Sequence, residues 1–137
     1  MANPITLRVI TPDAVALDET VDSVVLPGLD GQLGVLARHA TMVTALDAGE
    51  LRYSQAGTEH HMFVSGGFAE VRDNTLRVVT EAGEHVRDID AERAKKAEER
   101  ARQRLQEGDE EIDTVRAEAS LRRAVRRLTI SRTRGHS

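Results

Sequence analysis

The sequence predicts a β-sandwich or flattened barrel of short antiparallel strands followed by a C-terminal antiparallel two-helix hairpin. Three observations carry that prediction. Through the first ninety residues, short apolar alternations are broken by turn signals every 8 to 12 residues or so, as in sandwiches and flattened barrels. Near Ile89 the character changes to Ala, Glu and Arg at helical spacing, and all three prolines (Pro4, Pro12 and Pro27) lie before that point. The apolar residues of the first part are too many for one sheet to cover, so two layers are needed. The domains are accordingly drawn at 1–88, the sandwich, and 89–137, the hairpin with a short tail.

Ile5, Leu7 and Val9 alternate with Thr6 and Arg8, the period-2 signature of a half-buried strand, which Pro12-Asp13 ends. Val15 and Leu17 open a second strand. Val21 to Leu26 reads as a third, closed by Pro27-Gly28, with a further tight turn at Gly31 to Gly34 before Val35 and Leu36. Leu51 to Tyr53 and His60 to Val64 are strands separated by the turn-like Ser54 to Thr58. Phe68 to Arg72 and Thr75 to Thr80 flank Asp73-Asn74, two residues that tolerate the positive φ a tight hairpin requires.

Asp90 is the N-cap of the first helix, its carboxylate suited to the unpaired N–H groups and positive end. Ala94, Ala97, Ala101 and Leu105 then form a narrow seam, and Glu92/Lys96 and Glu98/Arg102 are favourable i, i+4 pairs. Gly108-Asp109 breaks the pattern. The second helix, to about Arg132, carries the stripe Ala117, Leu121, Ala124, Val125 and Leu128. Alanine methyls bury little area, so two states are open for the hairpin: permanently docked, or a switch that closes and opens.

Composition narrows the function classes. With no cysteine, thiolate metal sites, iron–sulfur clusters, disulfides and cysteine nucleophiles are excluded. Met1 to Ile5 opens no secretory signal, and no apolar run approaches the roughly 20 residues of a membrane helix. Residues 1–89 hold six Lys and Arg against 13 Asp and Glu, whereas residues 90–137 hold 13 against 10, so an acidic body carries a basic arm. Gly28, Gly31 and Gly34 lack the Lys-Ser/Thr of a phosphate loop, and Ser65-Gly66-Gly67 lacks the surroundings of a nucleophile elbow; turn geometry and a bulge or close backbone approach account for them. His39, His60, His61, His85 and His136 show no metal-ligand spacing, and adjacent His60 and His61 face opposite ways in a strand. No catalytic residue and no metal site is assigned. Arg116, Arg122, Arg123, Arg126 and Arg127 make the second helix basic, which suits a solvated surface, a nucleotide phosphate or an acidic protein surface. Nucleic acid is disfavoured, because the arm has no aromatic residue for stacking.

Three ordered segments carry a family resemblance: Gly31-Gln32-Leu33-Gly34-Val35 followed by His39-Ala40, then Ser65-Gly66-Gly67-Phe68-Ala69-Glu70-Val71, then Ile89-Asp90-Ala91-Glu92-Arg93-Ala94. Over essentially its whole length the chain resembles the epsilon subunit of F-type ATP synthases, in its cyanobacterial, chloroplast and bacterial forms. The resemblance implies a β-sandwich of about ten short antiparallel strands followed by a C-terminal antiparallel two-helix hairpin, in a non-catalytic central-stalk rotor subunit that couples c-ring rotation to the catalytic head. Its partners would be the gamma subunit, the c-ring and, when the hairpin is extended, the alpha and beta subunits. It implies a c-ring contact at the turn of Gly31, Gln32 and His39, where Gln32 replaces an acid found in several bacterial members, and inhibition of ATP hydrolysis through Arg122, Arg123, Arg126 and Arg127. No cofactor is required. The alternative is an ATP sensor: the family's Ile/Leu-Asp-x-x-Arg-Ala motif matches Ile89 to Ala94, so Asp90 and Arg93, with Glu84, Arg100, Arg123 and Arg127, are the candidate ATP-binding residues. The implied location is peripheral, on the cytoplasmic face of a bacterial plasma membrane, with a thylakoid or stromal face as the alternative.

Overall fold

The computed structural model describes residues 4–107 and 111–134, with side chains in the second helix described from Thr114 onward. Gly108-Asp109 and His136 lie outside the described residues. The chain divides into two compact units, Met1–His85 and Val86–Ser137.

The first unit holds β1 (Ile5–Ile10), β2 (Val15–Val21), β3 (Ser23–Gly28), β4 (Gly31–Leu36), β5 (Met42–Gln55), β6 (Thr58–Arg72), β7 (Thr75–Val79) and β8 (Gly83–His85). They pair in the order β2-β1-β7-β6-β5-β3-β4, with β8 against β6. There are eight strands rather than about ten because β5 and β6, of 14 and 15 residues, each serve both layers. The halves differ in which residues face inward. In β6, Met62 and Val64 join the core from the first half and Ala69 and Val71 from the second; in β5, Leu46 does so from one half and Leu51 and Tyr53 from the other. Side chains alternate with period 2, so an even-to-odd change of the inward set requires the strand to turn over. In β6 the turn-over falls at Gly66 and Gly67, with φ of 110° and 106°. An added Cβ at Gly67 would lie 2.0 Å from the Val79 carbonyl oxygen, so β7 packs directly on the bare glycine.

One pair departs from the antiparallel expectation: β1 and β7 run parallel, from Thr6/Thr75 to Ile10/Val79. A parallel pair needs a long connection, and the strands between β1 and β7 supply it. The β3–β4 connection also falls elsewhere than expected. Pro27 and Gly28 stay within β3, Gly31 to Gly34 lie in β4, and the turn is Leu29-Asp30. Asp73 and Asn74 adopt φ of 50° and 58°, as the hairpin reading required, and Ala56-Gly57 forms a like turn at 50° and 82°. The core is aliphatic: Ile5, Leu7, Val9, Val24, Leu26, Leu51, Met62, Val64, Leu76 and Val78 are all at most 1% exposed.

The second unit opens with the 3₁₀ turn Val86–Asp88, then α1 (Ala91–Glu107) and α2 (Glu111–Arg134). The Asp90 carboxylate accepts the Arg93 N–H at 3.1 Å, the expected N-cap, and the Asp90 carbonyl accepts the Ala94 N–H at 3.0 Å. Both i, i+4 ion pairs form, Lys96–Glu92 at 3.6 Å and Arg102–Glu98 at 3.9 Å.

Candidate functional site

On the outer face of the β2-β1-β7-β6-β5 layer, successive registers line up one apolar row. Val15 pairs with Ile10, Ile10 with Val79, Val79 with Phe68, and Phe68 with Ala45. Leu29 extends it, donating its N–H to the Ala45 carbonyl at 3.2 Å. Paired residues share a face of the sheet, so the row crosses the layer from edge to edge. Several members face water: Val15 is 56% exposed, Leu29 63% and Phe68 46%, with Val43 beside them at 67%. The next row along the strands is charged but internally matched, with Arg8–Asp18 at 3.5 Å and Arg77–Glu70 at 3.9 Å. A groove of about 420 Å³ opens onto the row, lined by Ile10, Pro12, Gly66, Gly67, Phe68 and Val79 among others. An aligned apolar row with a charge-matched polar border is the arrangement of a docking surface.

Sequence reasoning missed this row. Its signal was present in pairs that break alternation: Val9-Ile10, Phe68-Ala69 and Val78-Val79 each place an apolar side chain on both faces of a strand.

The candidate ring-contact residues are not on one turn. Gly31 and Gln32 begin β4 beside the Leu29-Asp30 turn, while His39 lies in the turn after β4. Extended chain from Gln32 to Leu36 spans about 13 Å. Gly31 and Gln32 are exposed and His39 half-buried, its Nδ1 2.8 Å from the Ala40 carbonyl oxygen. Two separate surface points thus replace the single expected turn.

In the helical unit, Ala94 and Ala101 of α1 and Ala117 and Ala124 of α2 are each at most 2% exposed, with Leu128 and Ile130 also buried. Ala94 and Ala124 lie 14 residues from the 108–110 connection on either side, and Ala101 and Ala117 lie seven. By this count the small side chains fall level with one another in an antiparallel pair. Ala97, Leu105, Leu121 and Val125 are only half-buried. By the same count Arg93 is level with the stretch between Arg123 and Arg127, whereas Arg100 sits two turns nearer the connection, about 10 Å along the axis. Arg93 and Arg100 are exposed; Arg123 and Arg127 are half-buried, and Arg123 Nη2 donates to Ser120 Oγ at 3.1 Å. Arg122 and Arg126 occupy the exposed face. Asp90 is committed to the helix cap, and Glu84 is on β8, in the other unit.

Elsewhere His61 Nδ1 lies 3.5 Å from Glu50, and His60 stacks on Tyr53 at a centroid distance of 4.8 Å, so the two histidines do face opposite ways. Among the described residues, no group of three or more His, Asp or Glu side chains is placed to hold a metal ion.

Comparison with known proteins gives this geometry a context. Residues 4–86 match the family model "ATP synthase, Delta/Epsilon chain, beta-sandwich domain", and residues 87–132 match "ATP synthase, Delta/Epsilon chain, long alpha-helix domain". An ATP synthase epsilon chain of Nitratidesulfovibrio vulgaris is 46% identical over 130 residues, covering 95% of this chain and 97% of its own. That of Desulforamulus reducens is 45% identical over 128 residues, covering 93% and 97%. The chain belongs to the ATP synthase epsilon family. A chain in the Euglena gracilis mitochondrial ATP synthase OSCP/F1/c-ring assembly superposes with a TM-score of 0.76 at 30% identity, covering 89% of this chain and 78% of that one. One from the central stalk and c-ring of the Tetrahymena thermophila enzyme shares the fold, with a TM-score of 0.66 at 12% identity over 92% and 95%. The epsilon family is a non-catalytic stalk component of the complex, which agrees with a surface built for docking. Among the described residues, no helix is long and apolar enough to cross a membrane.

Proposed function

We propose that this epsilon chain is a rotor subunit that docks on the gamma subunit through the Val15–Ile10–Val79–Phe68–Ala45 row, touches the c-ring at Gly31, Gln32 and His39, and uses its helical hairpin to brake ATP hydrolysis. In this reading residues 1–88 are the docking module, residues 89–137 are the brake, and the assembly sits on the cytoplasmic face of a bacterial plasma membrane. The observation that carries it is the single apolar row in register across one layer. A rotor subunit transmits torque and so needs an extended, rigid contact, and a row held by five hydrogen-bonded strands is extended and rigid. The brake rests on Arg122 and Arg126, two guanidinium groups one helical turn apart on an exposed face, suited to acidic segments of the alpha and beta subunits.

The test is Phe68→Asp in the full chain, with affinity for the isolated gamma subunit measured by calorimetry. A carboxylate in the middle of the row should weaken binding at least a hundredfold while the thermal transition shifts little, since Phe68 is already half-exposed; unchanged affinity would overturn the docking assignment. For the brake, replacing Arg122, Arg123, Arg126 and Arg127 together with Ala should raise ATP hydrolysis by the assembled complex, and unchanged hydrolysis would remove it.

A second reading is favoured by Arg93 standing level with Arg123 and Arg127. Three guanidinium groups around one level of a helix pair suit a polyphosphate, and ATP bound there would stabilise the closed hairpin. Calorimetric titration with ATP decides it: saturable binding abolished by Arg93→Ala supports a sensor, and absence of heat leaves the arginines to the brake alone.

A further inference from the structure

The hairpin turn at Asp73-Asn74 does more than reverse the chain. Asn74 makes three bonds to two separate segments, the turn at Arg38 and the start of β1. Its side-chain Oδ1 accepts the Arg38 N–H at 2.9 Å, its Nδ2 donates to the Pro4 carbonyl at 2.9 Å, and its own carbonyl accepts the Thr6 N–H at 3.2 Å. The partners fix the amide orientation: a flipped side chain would set NH₂ against N–H and oxygen against carbonyl. Arg38, the residue held, has φ of 64°, and in the same turn the His39 N–H is donated to the Leu36 carbonyl at 3.2 Å. The turn that displays His39 therefore owes its long-range anchor to a residue 36 positions away in sequence.

We infer that Asn74 is a positioning residue for the ring contact, holding the Arg38-His39 turn in the one orientation that presents His39; this rests on the proposal that His39 meets the c-ring. The two-residue turn itself does not need the amide. Asp-Gly serves a tight hairpin as well as Asp-Asn does, because glycine adopts positive φ freely. What only the amide provides is the link to Arg38 and Pro4. Without it, the Arg38 amide loses its acceptor and the turn samples other orientations, while the apolar docking row, at the opposite ends of β1 and β7, is untouched.

The distinction gives a clean experiment in the full chain. Asn74→Gly keeps the hairpin and removes the clamp; Asn74→Asp keeps an acceptor for the Arg38 N–H. Asn74→Gly should speed hydrogen exchange of the Arg38 amide at least fivefold by NMR. It should also weaken capture of the gamma–epsilon pair by detergent-solubilised c-ring about fivefold, the factor matching one net hydrogen bond, with gamma affinity changed less than twofold. Asn74→Asp, which restores the acceptor for the Arg38 N–H but sets a carboxylate oxygen where the donor to the Pro4 carbonyl stood, should return Arg38 exchange only part of the way, a rescue confined to that amide that a general loss of stability would not show. If His39→Ala weakens ring capture but Asn74→Gly alters neither exchange nor capture, the inference fails and the ring contact stands. If His39→Ala leaves ring capture unchanged, the ring contact fails and takes the inference with it.

Discussion

Gly66 and Gly67 offer a controlled pair for testing why β6 can serve two layers. Both have positive φ, 110° and 106°, values outside even the narrow left-handed region that L-residues sometimes enter. Substitution by Ala strains either backbone by about 1–3 kcal/mol. The surroundings separate them. At Gly66 the nearest atom to a new Cβ is the Leu46 carbonyl oxygen at 3.5 Å, an ordinary contact, whereas at Gly67 the Val79 oxygen is at 2.0 Å, its carbon at 3.0 Å and Thr80 Cα at 3.2 Å. All three are backbone atoms of the neighbouring strand and its exit, so no side chain can swing away. Relief requires β7 to move, at the expense of one or two ladder hydrogen bonds of about 1 kcal/mol each. The expected losses are thus about 1–3 kcal/mol for Gly66→Ala and about 2–5 kcal/mol for Gly67→Ala. Urea unfolding of the full chain, followed by a sheet-sensitive signal, measures both, with a common m-value confirming that only stability changed. A difference of about 1–2 kcal/mol corresponds to roughly 4–16 °C in Tm for a domain of this size. Equal losses for the two variants, within about 0.5 kcal/mol by the same extrapolation, would refute the claim that β7 rests on Gly67. Since Val79 and Phe68 belong to the docking row, Gly67→Ala should also weaken gamma binding, and Gly66→Ala much less.

Three further outcomes follow from particular contacts. Thr80, 3% exposed, bonds Ser65 N–H and Ser65 Oγ at 3.2 Å and the Ala82 carbonyl at 3.1 Å, but Ser65 N–H and the Ala82 carbonyl also bond each other at 3.0 Å. Thr80→Val therefore strands no backbone partner and should cost about 1 kcal/mol, whereas Ser65→Ala removes the acceptor of the Ala82 N–H, at 2.9 Å, and should cost about 1–3 kcal/mol in the same urea assay. A larger loss for Thr80→Val would reverse the account. Asp90→Ala should destabilise the helical unit by about 1 kcal/mol, read as faster amide exchange at Arg93 and Ala94, with the sandwich unaffected. Ala124→Leu, at a position 1% exposed and level with Ala94, should force the helices apart and cost about 1–3 kcal/mol, seen as loss of helical circular dichroism at a lower temperature; an unchanged transition would show that the seam is not closely packed.

Much of the local structure could be read directly. Asp73-Asn74, the Asp90 cap, the two i, i+4 ion pairs and the alanine stripes are set by interactions within a few residues, and those are the interactions a linear pattern records. The division of β6 between layers was half legible, because Gly66-Gly67 signalled a close approach but not its partner. The β3–β4 connection was misplaced for a physical reason: Pro27 and Gly28 are turn formers by local preference, yet in the structure they are ladder residues, Pro27 opposite Gln32 and Gly28 opposite Gly31. There tertiary pairing outweighs propensity.

The candidate site divides in the same way. Which residues carry charge, which helix carries the arginines, and which ordered segments mark the family follow from the sequence alone. That Val15, Ile10, Val79, Phe68 and Ala45 form one row follows only from strand order and register, since a one-residue slip in any pair would scatter them over two faces. That Asn74 holds Arg38, and that Gln32 and His39 stand at opposite ends of β4, likewise depends on contacts between residues far apart in the chain. Sequence determines what each short segment prefers; the burial of a shared core determines which segments become neighbours, and the docking row exists only after that choice is made.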